Sequence, residues 1–169
     1  MVDVGGLRFT ALDTPGHATH HLVYQLDDIG FAGDLGGVRR PGLRHVRLPT
    51  PPPEFDRAAW LDSIDKVRAR KLARLYLTHF GPVDDVDAHL GVVAGLVRAY
   101  SDEVKEAMDG GAGREAVVAR LETWERARLV AEGVPQSEWP VYADIGPVGM
   151  SVDGLMRYWQ KQAKAAAGG

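Results

Sequence analysis

The chain has 169 residues, of which 45% are apolar and 25% charged, and these proportions are typical of one globular domain with a sizeable core. The formal charge is -3, the pI is near 6.1, and the lysines and arginines are scattered, which argues against a nucleic-acid partner. The longest apolar run, residues 92–97, is too short to span a bilayer, and the N-terminus does not resemble a signal peptide. The lack of cysteine fits a reducing cytoplasm and leaves imidazole and carboxylate as candidate metal ligands.

The first third of the chain is predicted to be rich in strands. Apolar runs and strand-forming residues predict three of them, over residues 7–12, 22–26 and 29–32, with a tight turn at Asp27 and Asp28 between the last two. Gly33 would then free the backbone so that Asp34 lies at the end of the third strand. Residues 36–53 are rich in glycine and proline and predict a loop, apart from a brief strand near Val46.

The rest of the chain is predicted to be mainly helical. Amphipathic spacing predicts helices over residues 55–70, 86–107, 114–131 and 152–164, and a buried strand over residues 72–77. In the second helix, Gly91, Gly95 and Ala99 lie at four-residue spacing, which predicts the close approach of another element.

Three side chains that can bind metal follow predicted strands. They are His17, which comes after a Pro-Gly turn, Asp34 and His79. Loops at strand ends are common places for sites, because side chains from different strands meet there. Imidazole and carboxylate suit zinc or a similar first-row ion, and the two carboxylate oxygens can bridge two ions. In the alternative interpretation the histidines cap turns and Asp34 closes a loop, and spacing alone does not choose between the two.

The other histidines are weaker candidates. His20 or His21 would at most donate a hydrogen bond that orients His17 or a substrate group, and a surface or core role is preferred for both. His45 lies in the proline-rich loop and His89 on a charged helix, so both are predicted to lie on the surface.

Three stretches, in their order and spacing, resemble the later motifs of the metallo-β-lactamase superfamily, and in particular those of its glyoxalase-II-like hydrolases: Thr14-Pro15-Gly16-His17, Phe31-Ala32-Gly33-Asp34 and Leu77-Thr78-His79-Phe80-Gly81. The resemblance implies that His17 binds a first metal ion, that Asp34 bridges two ions, and that His79 completes the second. Asp34 is therefore also the candidate catalytic residue. The implied cofactor is zinc, with two ions in a complete site, and iron or manganese are the alternatives.

The resemblance also implies an α/β fold, namely half of an αββα sandwich in which helices cover a mixed sheet, with a helical C-terminal extension. On this interpretation residues 1–83 form the metal-site strands and loops, and residues 84–169 form the helical part of the same domain. The H-x-H-x-D-H motif of the family's first half has no counterpart among the six histidines. Three explanations follow: a fragment of a longer enzyme, which is favoured, a half that pairs with a second copy or another chain, or a relative without catalysis.

The activity that the resemblance implies is metal-dependent hydrolysis of a small-molecule substrate. A metal-bound hydroxide would attack an ester, thioester, amide or phosphoester, provided that the N-terminal half is supplied. The competing interpretation is a non-catalytic half-fold that pairs with another chain, either a second copy or the missing N-terminal half. A mononuclear iron oxygenase of the same superfamily is a third alternative, because the same ligands suit iron.

Overall fold

A computed structural model describes residues 1–168 of the chain. Within these residues there are seven strands: β1 (Val2–Val4), β2 (Leu7–Asp13), β3 (Leu22–Leu26), β4 (Ile29–Arg39), β5 (Val46–Arg47), β6 (Arg74–His79) and β7 (Gly81–Val83). The same residues form five α-helices: α1 (Arg57–Arg68), α2 (Val86–Asp109), α3 (Arg114–Ala131), α4 (Trp139–Asp144) and α5 (Val148–Ala167). None of these helices combines the length and the apolar character needed to cross a membrane.

The strands form one mixed sheet in the order β1-β2-β3-β4-β6-β7, and β5 pairs with β4. β4 and β6 run parallel, whereas the other described pairs are antiparallel. Asp27 and Asp28 form the tight turn between β3 and β4, as predicted. The predicted α/β class with a mixed sheet is therefore confirmed.

The chain packs as two compact units. The first consists of Met1–Leu48 and Asp56–Val97, and the second of Pro49–Phe55 and the described residues from Arg98 onward. In the first unit, one face of the sheet packs against α1 and the start of α2 and forms a core that includes Val23, Ala32, Leu75, Leu77, Trp60, Ile64, Leu90 and Val93. The predicted boundary at residue 83, between the metal-site strands and loops and the helical part, stays a prediction.

The second unit is helical. Arg114 of α3 forms a two-pronged ion pair with Asp153 of α5, with N···O distances of 2.6 and 2.8 Å. The Tyr100 ring meets Trp124 edge-on at 4.9 Å, and the Tyr100 hydroxyl donates to Glu125. The buried apolar residues of this unit include Val104, Val117, Leu121, Tyr142, Val152 and Leu155.

The third strand is longer than predicted, because β4 continues to Arg39. Gly33 and Gly37 have φ angles of 54° and 67°, and the pairing of β4 with β6 shifts register on both sides of Gly33. Glycine at positive φ allows a strand to bulge and then continue, so these residues do not end it. Asp34 consequently lies within the strand, and the prediction that placed it at the strand's end was wrong.

The helices agree with the sequence pattern to within a few residues, and α3 matches it at both ends. The strand predicted over residues 72–77 is displaced to 74–79, so His79 is the last strand residue rather than a loop residue. The strands β1 and β7 and the short helix α4 were not predicted. The close approach predicted at Gly91 and Gly95 is also wrong, because among the described residues nothing beyond the neighbouring backbone of α2 lies within 4 Å of a Cβ built at either position.

Candidate metal centre

The loop that carries His17 is held against the start of α1. The Ser63 hydroxyl donates a hydrogen bond to the Pro15 carbonyl at 2.7 Å. The backbone N–H of Asp56, the residue that caps α1, donates to the Gly16 carbonyl at 2.8 Å. Both acceptors are backbone carbonyls within two residues of His17. The contacts with α1 therefore fix the backbone position from which the His17 side chain extends.

Trp60 fixes the imidazole of His17 from the core side. The His17 ring meets the fully buried indole of Trp60 edge-on, with 5.7 Å between ring centroids and an angle of 87°. The indole N–H in turn donates to the Leu35 carbonyl of β4 at 3.1 Å. One tryptophan therefore connects the His17 loop with the strand that carries Asp34.

The Asp34 carboxylate lies between the two candidate histidines. Its Oδ2 is 3.7 Å from Nε2 of His17, and its Oδ1 is 3.2 Å from Nε2 of His79. The exposed fractions of the side chains are 16% for His17, 28% for Asp34 and 31% for His79, so the group is partly open to solvent. The structure thus brings together the three residues that the sequence singled out, and their binding of metal stays a prediction.

The number of ligands is smaller than a complete site requires. Within residues 1–168, no three His, Asp or Glu side chains converge well enough to hold one ion. Asp34 turns one oxygen toward each histidine, so each of two ions would receive two ligands from this chain, whereas catalytic zinc usually has three protein ligands. Imidazole nitrogens and carboxylate oxygens are suitable ligands for a bridged pair of ions. This chain, however, supplies fewer ligands than two complete metal sites need.

His21 positions the backbone of Asp34. The Asp34 N–H donates to Nε2 of His21 at 3.1 Å, and Nδ1 of His21 lies 2.9 Å from the Thr14 hydroxyl. An Nε2 that accepts a hydrogen bond carries no proton, so the His21 ring is neutral. Burial lowers the pKa of His21 and the neighbouring His17 lowers it further, and both effects favour this neutral form. Both ring nitrogens are engaged within the protein, so His21 orients Asp34, and it does so as an acceptor rather than as the predicted donor.

His89 and His45 are buried, so the prediction that placed both on the surface was wrong. His89 donates from Nε2 to the Gly36 carbonyl at 2.8 Å, and its Nδ1 lies 3.4 Å from an Arg39 N–H. A carbonyl only accepts and a guanidinium only donates, so these contacts fit a neutral ring with its proton on Nε2. The sequence contained a signal, because His89 falls within the apolar stripe of α2, next to Leu90.

The contacts of His89 predict a pH-dependent stability. Burial holds the pKa of His89 below its ordinary value of 6.5; Arg39 lowers it further, and the Gly36 carbonyl and Asp85 raise it. Near and below pH 6.5 the unfolded chain therefore binds more protons at this histidine than the folded chain does. The contribution of His89 to the free energy of unfolding is complete above about pH 7 and decreases as the pH drops through 6.5. Urea titrations at neutral and mildly acidic pH should show this loss, and His89→Gln should make it smaller. An equal loss in the variant would contradict the assignment to His89.

The acidic run after His79 is neutralised by arginines. Asp84 pairs with Arg74, Asp85 with Arg39 and Asp87 with Arg68. These pairs lower the pKa values of the three carboxyl groups, with the arginine hydrogen bond as the largest cause in each. The run therefore contributes ion pairs around the start of α2.

Comparisons with known proteins relate this chain to the metallo-β-lactamase superfamily. The family model of the metallo-β-lactamase superfamily matches residues 1–79, a range that includes His17, Asp34 and His79. The metallo-β-lactamase fold-containing protein ST1585 of Sulfurisphaera tokodaii is 39% identical over 64 residues, which are 38% of this chain and 23% of that protein. The crystal structure of the metallo-β-lactamase family protein TTHA1429 from Thermus thermophilus superposes with a TM-score of 0.64 at 18% identity and covers 96% of this chain.

The match to the Thermus protein extends over most of this chain but over only 47% of the other one. The chain therefore spans about half the length of that relative, and its aligned segment covers about a quarter of the archaeal one. At 18% identity the superposition shows a shared fold, and it agrees with the α/β half-sandwich expected from the sequence.

Proposed function

The chain belongs to the metallo-β-lactamase superfamily, and from this premise we propose that it is the Asp34-bearing half of a metal-dependent hydrolase. The substrate class is a small molecule with an ester, thioester, amide or phosphoester bond. The cofactor is zinc, with two ions in the complete site, or iron or manganese in its place. A cytoplasmic location, which the lack of cysteine favours, is part of the same proposal.

The observation that carries the proposal is the geometry of Asp34. Its two oxygens point toward two different imidazoles, at 3.7 and 3.2 Å, and this is the arrangement that a carboxylate bridging two ions needs. His17 and Asp34 would hold one ion, and Asp34 and His79 the other. The remaining ligands would come from another polypeptide segment, since this chain spans about half of the Thermus protein.

The residues of this chain have separate tasks in such a site. Divalent ions, when bound, lower the pKa of water and polarise the bond that is cleaved. His21 holds the backbone N–H of Asp34, and Trp60 holds the ring of His17, so the ligands are ordered before any ion arrives. Ligands that are already ordered lose less conformational entropy on binding and support a tighter site.

The proposal is tested by exchanging Asp34 for asparagine, which has the same shape but lacks the charge and the second carboxylate oxygen. We expect the wild-type chain to bind zinc in calorimetric titrations, and we expect Asp34→Asn to weaken binding by about 100-fold or more, since even outer-shell changes cost 10–100-fold. Asp62→Asn, which changes an exposed carboxylate on α1, is the matched control and should leave zinc binding unchanged. Zinc binding that is equal in the wild type and in Asp34→Asn would overturn the proposal.

A second candidate function is a non-catalytic half-fold that pairs with another chain. The observation that favours it is that each ion would have only two ligands from this chain. Asp34→Ala separates the two functions. In the assembled protein, a hydrolase should lose both metal and ester or phosphoester hydrolysis, measured with nitrophenyl substrates. A pairing module should still assemble when it carries Asp34→Ala, and neither the wild type nor the variant should show hydrolysis.

A further inference from the structure

The stretch of β4 that carries Asp34 is out of register with its neighbour β6. Gly33 pairs with Leu77 and Val38 with His79, so residues 34–37 of β4 lie opposite a single residue of β6. We call residues 34–37 the β4 bulge. Extra residues in a bulge are not paired in the regular ladder, and the ladder is disrupted around them. The backbone of the β4 bulge therefore depends on contacts from other elements for its position.

The first two residues of the β4 bulge are each held by a side chain from another element. The Asp34 N–H donates to His21, and the Leu35 carbonyl accepts from Trp60. The third residue is held in the same way, because its carbonyl accepts a hydrogen bond from Nε2 of His89 at 2.8 Å. All of these residues belong to the first unit. His89 of α2 thus completes a set of three contacts to consecutive residues of the bulge.

The His89 ring is held between two points of the same strand. Its Nε2 donates to the Gly36 carbonyl, and its Nδ1 lies 3.4 Å from Nη1 of Arg39, three residues further along β4. His89 is only 2% exposed. Gly36 is confined as well, because a Cβ built there would overlap the side chain of Leu77 and lie 3.7 Å from Nε2 of His89. The imidazole therefore determines the course of the backbone at the end of the β4 bulge.

Arg39 and Asp85 determine which nitrogen of His89 donates. The Asp85 carboxylate accepts from Arg39 at 2.8 Å, and the Asp85 carbonyl accepts the backbone N–H of His89 at 2.8 Å. These two contacts hold a guanidinium donor beside Nδ1 of the ring. The proton of the neutral ring is then on Nε2, where the Gly36 carbonyl accepts it.

We propose that His89 is a positioning residue of the metal centre. By holding the Gly36 carbonyl, it fixes the backbone two residues after Asp34 and thereby the direction in which that carboxylate extends toward His17 and His79. Both nitrogens of the His89 ring are engaged within the protein, so His89 acts through the backbone and not as a metal ligand. This role rests on the proposed function, since it gives His89 a part in ordering the ligands.

Nitrogen-15 relaxation of the metal-free full chain tests this role. Leucine in His89→Leu fills much of the same space but has no donor, so the Gly36 carbonyl loses its partner. We expect order parameters of about 0.85 for the amides of the β4 bulge in the wild type and below about 0.6 in His89→Leu, with the amides of β3 unchanged. His89→Gln keeps a donor at a similar reach and should restore the wild-type values. A loss of stability alone does not change the order parameters of the folded chain.

Zinc titration of the same variants measures the consequence at the site. We expect His89→Leu to weaken zinc binding by about 10-fold or more, since changes to residues that orient metal ligands cost about 10–100-fold, and His89→Gln to bind like the wild type. A β4 bulge that stays ordered in His89→Leu would overturn the role of His89, and so would wild-type zinc affinity in a variant whose bulge has loosened. A wild-type chain that binds no zinc overturns the proposed function instead, and the order parameters alone then decide on His89.

Two surface variants test the same role without a change in the core. Asp85→Ala removes the carboxylate that holds Arg39 beside His89, and it should loosen the β4 bulge in the same direction but by less than His89→Leu. Asp87→Ala removes the comparable ion pair with Arg68 and should leave the bulge and the zinc affinity unchanged. If His89→Leu does not fold, equal order parameters in Asp85→Ala and Asp87→Ala overturn the role of His89.

Discussion

Replacing Gly16 with alanine is expected to be among the most destabilising single changes in the first unit. Gly16 has a φ of 137°, a conformation that residues with a Cβ rarely adopt, and a Cβ there would overlap the backbone of Trp60. Backbone strain costs roughly 1–3 kcal/mol, and overpacking adds roughly 1–3 kcal/mol. Because the chain must move away from α1, the adjacent His17 should also leave its place beside Asp34. Urea denaturation and zinc titration of Gly16→Ala measure the two effects.

Gly95→Ala is the matched control for this substitution. Gly95 lies on an exposed position of α2, and among the described residues nothing beyond the neighbouring backbone of α2 comes within 4 Å of a Cβ built there. Alanine is the better helix former, so this variant should gain up to about 1 kcal/mol. If Gly16→Ala is as stable as the wild type and still binds zinc equally well, the contact between the His17 loop and α1 does not position the site.

The proximity of His17, Asp34 and His79 could be predicted from the sequence because strand periodicity and turn chemistry are local. The run 22–26 corresponds to β3 without change, and the Pro-Gly turn does precede His17 in a loop between strands. His17 follows β2, Asp34 lies within β4 and His79 ends β6, and the order of these strands in the sheet brings the three residues together. Their proximity therefore follows from the order of strands in the sheet.

The course of β4 could not be predicted from local signals. Gly33 and Gly37 resemble strand breakers in the sequence, but a parallel partner strand pairs with β4 on either side of Gly33 and keeps the chain extended. Only the partner β6, more than 35 residues later in the sequence, distinguishes a bulge from an end. The position of Asp34 within the strand depends on this long-range pairing.

The partners of the supporting histidines could not be predicted for a related reason. A buried histidine is stable only when its ring nitrogens have partners, and the partners of His89 are the Gly36 carbonyl and Arg39, about 50 residues away in the sequence. His21 likewise depends on the backbone of Asp34. A sequence shows the type of such a residue but not the partner that makes its burial possible.

Trp60→Ala is expected to remove the contact that joins the His17 loop, α1 and β4. The indole is fully buried, lies edge-on against His17, and donates to the Leu35 carbonyl. Deleting a buried tryptophan leaves a large cavity and typically costs about 3–5 kcal/mol. The free energy of unfolding from urea titration measures this loss. His17 would also lose the surface that limits its rotation, so zinc affinity should fall together with stability.

Trp60→Phe separates packing from hydrogen bonding at this position. Phenylalanine keeps an aromatic edge near His17 but cannot donate to the Leu35 carbonyl, and an unpaired buried acceptor costs about 1–3 kcal/mol. We therefore expect Trp60→Phe to lose stability while it retains most of the zinc affinity that Trp60→Ala loses. If the two variants lose zinc affinity equally, the hydrogen bond to β4, rather than the ring beside His17, orders the site. If neither variant changes zinc affinity, the histidine is held by the turn alone, and the role assigned to Trp60 is wrong.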